Sequence, residues 1–430
     1  MDSQPSIVGR GTRDGSRLFR EWFEELDAVA ARGDRAAYVF VMGSLNEILR
    51  SFDMPVTFPE INSLQLAVRR VAHDYLAEAE DLGYSPDICG YVKADVATQH
   101  RRGEHPMGRI PKPSLAVLTN ACNTYVKWAE FWERTHKVPM FTIDVPGHRQ
   151  LGQHSRPGDG DFERDRRYVE VQLRELIALC EQITGRKFDV DRLRETMRHT
   201  NTMSRCWRRV LELNRSTPSV FSALTDGTIY LGVANGLRGT EAGARYFEDL
   251  VEEMEYKAAH RLGTPVEEKH RLTFVGVPCY PMFRRFNELF SAWGGTFVTS
   301  TYLWFASGGA NRGYEYEMAD PIVALSEGVL LSVRDAMDAM FDQTTMIRDT
   351  VEEFGIDGVV FHPIKSCRTV STGLADARRT LMDQTGIASL FIESDMMDRR
   401  VVSEAQLKNR IDAFFEGLNA RKHRAAAGVV

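Results

Sequence analysis

The sequence lacks the short motifs by which many cofactor-binding chains are recognised. It contains no G-x-x-x-x-G-K-[ST] loop for nucleotide phosphates, no G-x-G-x-x-G turn for dinucleotides, no H-E-x-x-H zinc helix and no C-x-x-C pair. We therefore expect no ATP site and no nicotinamide site within this chain. Its six cysteines in 430 residues are too few for a disulfide framework, which favours a reducing compartment and a cytoplasmic location.

Long apolar runs and long basic runs are also missing. No stretch of 18 apolar residues predicts a membrane span, and the first residues have no apolar segment typical of a secretory signal. The net charge is −6, with no basic tract that would favour nucleic acid as a partner. These absences leave a protein whose function depends on side chains brought together by folding.

Short apolar, β-rich runs alternate with helical patterns in the first and last thirds of the chain, which is typical of parallel sheets covered by helices. We expect an α/β fold with two doubly wound (Rossmann-like) parallel-sheet domains joined by a helical segment. The predicted units are an N-terminal helical arm at 1–34, frayed before residue 16, a first α/β domain at 35–160, a helical bridging segment at 161–270, and a second α/β domain with a C-terminal helix at 271–430. The predicted strands are 38–42, 56–58, 114–118, 140–144, 272–277, 296–299, 358–361 and 389–392.

Three of the six cysteines lie among polar or glycine neighbours in predicted loops, namely Cys89, Cys122 and Cys367. The last two follow predicted strands, and ligands in open α/β sheets gather outside the carboxyl ends of strands. Three thiolates in one crevice would form an iron–sulfur site with one iron free to act on a substrate. Spacing alone is weak evidence, because most isolated cysteines are inert small hydrophobes. Cys180 and Cys206 are interpreted as core residues, whereas Cys279, at the end of a predicted strand, is ambiguous.

The neighbours of these cysteines carry a family resemblance. The strings are SPDICGY around Cys89, TNACNT around Cys122 and HPIKSC ending at Cys367, with further similarity in residues 406–414. Taken together, over roughly residues 35–420, they resemble the benzoyl-CoA reductase and 2-hydroxyacyl-CoA dehydratase family. The first region is most similar to the B subunits of ATP-dependent benzoyl-CoA reductases.

The resemblance implies a cofactor, a reaction and a set of partners. It implies that Cys89, Cys122 and Cys367 hold a [4Fe–4S] cluster in the crevice between the two α/β domains. The implied activity is low-potential electron transfer to the aromatic ring of benzoyl-CoA, giving cyclohexadiene-carboxyl-CoA. The implied partners are a related cluster-bearing subunit, ATP-hydrolysing electron-activating subunits and a ferredoxin upstream.

A reduced ring needs a proton, so a general acid must lie within hydrogen-bonding distance of it. Ser44 and Glu60 follow predicted strands at the expected edge, although Ser44 could instead cap a helix and Glu60 could be a solvated loop acid. His362 precedes the third cysteine, where a structural role is an equal alternative to proton donation. Lys93 and Lys127 could offset cluster charge or bind a CoA phosphate, or be ordinary surface lysines. The glycine-rich loop 307–314, with Arg312, could shape a CoA channel or be a surface loop.

Three alternatives stay open on the sequence alone. The chain could be a component of an (R)-2-hydroxyacyl-CoA dehydratase, which expels a hydroxyl group without net reduction. It could be an electron-relay subunit that holds a cluster without touching substrate, which predicts a sealed crevice or a fourth ligand such as Cys279. It could also be a CoA-binding protein without metal.

Overall fold

The computed structural model describes residues 7–147, 155–307, 314–334 and 343–427 of the 430-residue chain. The eight strands are β1 Arg35–Val39, β2 Val56–Thr57, β3 Lys112–Thr119, β4 Met140–Ile143, β5 His270–Val275, β6 Gly295–Ser300, β7 Gly358–Phe361 and β8 Ala388–Phe391. Among the described helices, none is long and apolar enough to cross a membrane.

The described helices surround both sheets. They are α1 Arg10–Ala31, α2 Asn46–Ser51, α3 Pro59–Val68, α4 Ala72–Asp81, α5 Gly90–His100, α6 Asn123–His136, α7 Gly160–Thr184, α8 Val190–Leu213, α9 Thr225–Gly236, α10 Glu241–Ala259, α11 Phe283–Ser291, α12 Thr301–Phe305, α13 Pro321–Val329, α14 Gln343–Phe354, α15 Arg368–Ser371, α16 Leu374–Thr385 and α17 Glu404–Ala426. Four of them, α7 to α10, form the helical stretch predicted between the sheets.

The two sheets share one topology. The first has the strand order β2-β1-β3-β4 and the second β6-β5-β7-β8, and every pairing is parallel. In each sheet the chain reverses its direction of progress after the second strand, between β1 and β3 and between β5 and β7. Such a switch point leaves a crevice at the carboxyl ends of the strands. The predicted fold of two doubly wound parallel sheets is confirmed.

The burial of the central strands accounts for the apolar runs that predicted them in the sequence. Every residue of β5 and β7 is buried, as expected for strands covered by helices on both faces. The strand predicted at 38–42 is displaced, because β1 ends at Val39. Beyond it, the backbone N–H of Val41 donates to the Glu60 carboxylate at 2.8 Å instead of to a neighbouring strand. The apolar run therefore continues past the sheet into the wall of a pocket.

The N-terminal helix corrects a second expectation. Residues before 16 were predicted to be frayed, yet α1 begins at Arg10 and buries both Gly11 and Gly15. The Glu253 carboxylate accepts from the backbone N–H groups of Gly9 and Gly11, both at 2.6 Å. The glycines that made this segment look disordered are what allows α1 to pack closely on α9 and α10.

Candidate functional site

A small apolar pocket lies where the carboxyl ends of the two sheets meet. Its volume is 100 Å³, and its wall contains residues that follow strands of both sheets. Cys122 follows β3 and Cys367 follows β7, while Cys89 immediately precedes α5. All three thiols line this one pocket, although they are far apart in sequence. They come from both halves of the chain, so the pocket exists only in the folded protein.

Each of these cysteines is the N-cap residue that immediately precedes a helix, namely α5, α6 and α15. Backbone N–H groups in the first helical turn therefore point toward the sulfur atoms, and such donors favour negative charge on sulfur. The donating groups are those of Tyr91 and Val92 for Cys89, of Thr124 for Cys122, and of Thr369 and Val370 for Cys367.

Burial opposes this effect. It raises the pKa of Cys89 well above the ordinary value, raises the pKa of Cys122, and raises that of Cys367 to about 11. Mutual repulsion contributes as well, because a negative charge on Cys122 or Cys367 further raises the pKa of Cys89. Three partly buried thiols that repel one another as thiolates would become stable anions only beside a strong positive charge, such as iron.

The backbone around Cys89 and Cys367 is shaped for close approach of the two halves of the chain. A Cβ added at Gly90 would lie 2.7 Å from Met397 Cβ and 3.4 Å from Ser366 Oγ. The Asp395 carboxylate accepts from the backbone N–H of Ser366 at 2.8 Å and so fixes the loop before Cys367. Glycine after the first cysteine therefore lets the two cysteine loops meet.

The donor set is three thiols from separate parts of the chain, a set that can hold an iron–sulfur cluster. No group of three or more His, Cys, Asp or Glu side chains within the described ranges is close enough to hold one ion. A cubane separates its thiolate ligands further, because each thiolate binds a different iron atom. The Ser366 hydroxyl, which also lines the pocket, is buried without a hydrogen-bond partner among the described residues. Three thiols and an orphaned hydroxyl around an apolar space match a polar group held in the pocket.

Glu60 supplies the carboxyl of the pocket. It lies in the first turn of α3, where Oε2 accepts from the Val41 backbone N–H at 2.8 Å and Oε1 from the Tyr125 hydroxyl at 2.8 Å. Burial raises the pKa of Glu60 to about 7, although both hydrogen bonds favour the charged form and lower it. Near neutral pH the carboxyl can therefore hold or release a proton.

The other two predicted acid–base residues lie elsewhere. Ser44 is buried in the loop between β1 and α2, does not cap α2, and is absent from the described lining of the pocket. His362 immediately follows β7 and is fully buried. Its Nδ1 lies 2.6 Å from the Val277 carbonyl oxygen, and its Nε2 is hydrogen-bonded to the Ser394 hydroxyl. Burial lowers the pKa of His362 to about 4, so the ring is neutral, with Nδ1 donating. This arrangement favours the structural alternative for His362.

The two candidate lysines have different surroundings, and most of the glycine-rich loop is not described. Lys93 is buried and binds Glu80 and the Pro86 carbonyl, both at 2.9 Å, so it ties the Cys89 loop to α4. Lys127 is an exposed residue paired with Glu130 on its own helix, in agreement with the surface alternative. Residues 308–313, including Arg312, lie outside the described residues.

The cysteines that were not assigned to the site are placed outside it. Cys180 and Cys279 are fully buried, and Cys206 is partly exposed. Burial raises the pKa of Cys279 to about 11, and its thiol bonds Ser394 rather than lining the pocket. The fourth ligand that a relay subunit would need is therefore not provided by Cys279.

A second, larger cleft adjoins the cysteine pocket and was missed by sequence reasoning. Its volume is 790 Å³, within the range of small-molecule sites, and its wall is mostly apolar. It is built from α1, α3, α9 and α11, with three exposed arginines at its edge: Arg20, Arg69 and Arg284. The two cavities share the wall residues Val41, Ile61, Leu64, Tyr302 and Ala306.

The chain is similar to known proteins over most of its length. The family model described as 2-hydroxyglutaryl-CoA dehydratase, D-component, matches residues 43–418. The benzoyl-CoA reductase B subunit of Thauera aromatica is 31% identical over 415 residues, which cover 94% of this chain and 93% of that protein. The (R)-phenyllactyl-CoA dehydratase alpha subunit of Clostridium sporogenes is 29% identical over 380 residues, covering 87% and 88%. The alpha subunit of (R)-2-hydroxyglutaryl-CoA dehydratase from Acidaminococcus fermentans is 23% identical over 494 residues, covering 98% and 99%.

Proposed function

The chain belongs to the 2-hydroxyglutaryl-CoA dehydratase D-component family, and from that premise we propose that it is an iron–sulfur catalytic subunit of an ATP-dependent benzoyl-CoA reductase. It would transfer low-potential electrons to the aromatic ring of benzoyl-CoA and yield cyclohexadiene-carboxyl-CoA. The observation that carries the proposal is the meeting of Cys89, Cys122 and Cys367 around one apolar pocket that also contains Glu60. The similarity to the benzoyl-CoA reductase B subunit supports the choice of substrate.

In this proposal the three cysteines hold a [4Fe–4S] cluster, and each keeps its sulfur fixed at the start of a helix. When bound, the cluster supplies electrons of low potential to a substrate beside it. Aliphatic and aromatic side chains around the pocket exclude water, which protects such electrons from being lost to protons. Glu60 holds a proton at Oε1 or Oε2 at neutral pH and gives it to the reduced ring.

The adjoining cleft offers a route for the acyl thioester. Its apolar wall suits the thioester arm of a CoA substrate, and its volume of 790 Å³ is far larger than the cysteine pocket. Guanidinium groups bind phosphate through paired N–H donors, and Arg20, Arg69 and Arg284 lie at the edge of the cleft. We assign the acyl end to the wall shared by the two cavities.

The remaining parts of the reaction are assigned to partners. By analogy with hetero-oligomeric relatives, we assign a related cluster-bearing subunit to the assembly, ATP hydrolysis to separate activating subunits and electron supply to a ferredoxin. The chain itself has no phosphate-binding loop, which supports this division of labour. A cytoplasmic location is part of the same proposal.

The test combines metal analysis with turnover. The chain is purified anaerobically with its partner subunits and assayed with benzoyl-CoA, ATP and a low-potential donor. We expect ATP-dependent consumption of the donor in proportion to product, together with iron and sulfide in the protein. The variants Cys89→Ala, Cys122→Ala and Cys367→Ala should each lose iron and activity, whereas Cys206→Ala, a partly exposed cysteine outside the pocket, should keep both.

Two results would contradict the proposal. Full iron content after Cys122→Ala would show that the pocket does not hold the cluster. Turnover of a 2-hydroxyacyl-CoA without proportional use of the donor would instead assign the chain to a dehydratase, the activity named for two of the compared relatives.

A further inference from the structure

Three tyrosine side chains from three different elements meet at the boundary between the cysteine pocket and the larger cleft. Tyr91 lies in the first turn of α5 and lines the pocket, Tyr280 follows β5 and lines the cleft, and Tyr302 in α12 lines both. The rings of Tyr280 and Tyr302 are 6.4 Å apart in an edge-to-face arrangement. The three hydroxyl groups lie close together, because Tyr280 and Tyr302 are within hydrogen-bonding reach of each other and of Tyr91.

These hydroxyls have no partner outside their own group. Tyr91 is 7% exposed and Tyr280 is 1% exposed, and apart from one another and Tyr302 their hydroxyls have no hydrogen-bond partner among the described residues. Buried hydroxyl groups are nearly always paired, because an unpaired one loses its bonds to water without replacement. Tyr125 provides the contrast, since its hydroxyl donates to Glu60 at 2.8 Å. Three hydroxyls in a chain make two hydrogen bonds among themselves, so one O–H is left to donate to a further acceptor.

The tyrosines can act as donors at any ordinary pH. Burial raises the pKa of Tyr302 to about 12 and raises the pKa of Tyr280 well above its ordinary value. Both phenols therefore keep their protons. Two or three neutral O–H donors that converge on one point resemble the donor arrangement that stabilises a developing oxyanion.

The surroundings select the kind of acceptor. Apart from the tyrosines, the wall shared by the two cavities consists of Val41, Ile61, Leu64 and Ala306, and so offers no fixed positive charge. Glu60 acts on Tyr280 and Tyr302 when it is ionised, so above about pH 7 a full negative charge placed among the phenols would be repelled. A neutral carbonyl oxygen fits this environment better than a carboxylate or a phosphate.

We propose that Tyr91, Tyr280 and Tyr302 form a hydrogen-bonding cradle for the carbonyl oxygen of an acyl thioester bound across the two cavities. This inference rests on the proposed function, whose substrate is a CoA thioester. The cradle orients the acyl group toward the cysteine pocket while the rest of the molecule lies in the cleft. It also selects thioesters over thioethers, because a thioether has no carbonyl oxygen to accept from the phenols.

The test compares benzoyl-CoA with S-benzyl-CoA, a thioether of nearly the same shape. Both are titrated calorimetrically against the full chain in its anaerobically purified assembly. The wild-type assembly should bind benzoyl-CoA more tightly, and Tyr91→Phe with Tyr280→Phe should weaken benzoyl-CoA binding about tenfold, the loss expected for one or two hydrogen bonds. Affinity for S-benzyl-CoA should stay the same, which also shows that the variant is folded.

A second readout reports the bond directly. With benzoyl-CoA labelled at the carbonyl carbon, the infrared carbonyl band should move to lower frequency in the wild-type complex and return toward its free position in the double variant. Tyr75→Phe is the matched control, because its hydroxyl bonds the Glu104 carbonyl away from both cavities.

The outcomes separate the two proposals. If the wild-type assembly binds neither compound, the proposed function loses its substrate. If it binds benzoyl-CoA but the double variant changes neither its affinity nor the carbonyl band, the cradle is wrong and the proposed function stands. The same conclusion follows if the two compounds bind equally well, since water would then satisfy the phenols.

Discussion

At the residue scale, the contacts of Glu60 could not be predicted from the sequence, although its position could. The sequence places Glu60 after a strand, because the apolar run before it ends at Pro59. Its two hydrogen-bond partners are distant in sequence, since Val41 lies 19 positions before it and Tyr125 lies 65 positions after it. Only the fold encloses the carboxyl of Glu60 enough to raise its pKa to about 7.

This pKa predicts a pH dependence. The protonated fraction of Glu60 falls as pH rises through about 7, so turnover that uses its proton should fall about tenfold for each further pH unit. Glu60→Gln keeps the shape but cannot release a proton, so we expect kcat to drop about 10²- to 10⁴-fold and the inflection to disappear. The measurement is kcat against pH for the assembled enzyme.

The substitution Tyr125→Phe tests whether the inflection belongs to Glu60. The Tyr125 hydroxyl stabilises the ionised carboxylate and lowers the pKa of Glu60, so its removal should move the inflection to higher pH. Glu130→Gln, on the outer face of the same helix, should leave the profile in place. An unchanged inflection in both Glu60→Gln and Tyr125→Phe would assign the titration to another group.

At the scale of elements, the sheets were predictable and the cleft was not. In the second sheet, β5, β6 and β7 are short and buried on both faces, so their apolar runs stand out, and β7 lies at the predicted residues. The cleft depends on α1, whose glycines were interpreted as signs of fraying. Glycine has a low helix propensity, so its presence argues against a helix when only the sequence is known. In α1, however, a close helix–helix contact requires glycine. That contact involves residues more than 200 positions away in sequence.

Gly15 provides the prediction at this scale. A Cβ there would lie 2.6 Å from the Tyr246 hydroxyl, which is itself fixed by its bond to the Gly11 carbonyl. Gly15→Ala should therefore lower the free energy of unfolding by about 1–3 kcal/mol, even though alanine is the better helix former. The measurement is urea unfolding followed by tryptophan fluorescence.

Gly417 is the matched control within a helix. It lies in α17, where an added Cβ would meet nothing within 4 Å. Gly417→Ala should raise the free energy of unfolding by about 0.5–1 kcal/mol, the usual difference in helix propensity. Stabilisation by both substitutions would show that α1 does not need glycine for its packing.

At the scale of the whole molecule, the two sheets have an identical strand order, and the cysteine pocket lies where residues that follow their strands meet, with the larger cleft beside it. Cys122 and Cys367 could be placed at strand ends from local sequence, but no spacing predicts that Cys89 and Cys367 face one another. Family resemblance predicted their meeting, whereas Tyr91, Tyr280 and Tyr302 carried no such signal. Their meeting depends on the relative position of the two sheets, which a linear pattern does not contain.

The junction is held near Cys89 by charged side chains from both halves. Glu80 in α4 accepts from Lys93 at 2.9 Å and from Arg400, which follows β8, at 2.6 Å. Arg400 and Lys93 lower the pKa of Glu80 to about 2. Because its folded-state pKa is depressed, the stabilisation from the Glu80 charge is present above its ordinary pKa and is lost as pH falls through about 2.

Glu80→Gln should therefore loosen the first cysteine loop. The Lys93 ammonium is almost fully buried, so loss of its ion-pair partner leaves it only the more distant Asp398 carboxylate and should cost up to about 3 kcal/mol at neutral pH. Lys93 also bonds the Pro86 carbonyl, so residues 85–90 should exchange amide hydrogens faster, and a chelator should remove iron faster. Glu315→Gln removes an exposed ion pair with Arg205, so it should change stability by less than about 1 kcal/mol and leave iron release unchanged. If Glu80→Gln behaved like Glu315→Gln, then Cys89 would be held by packing against the Cys367 loop and not by charges that link the two halves.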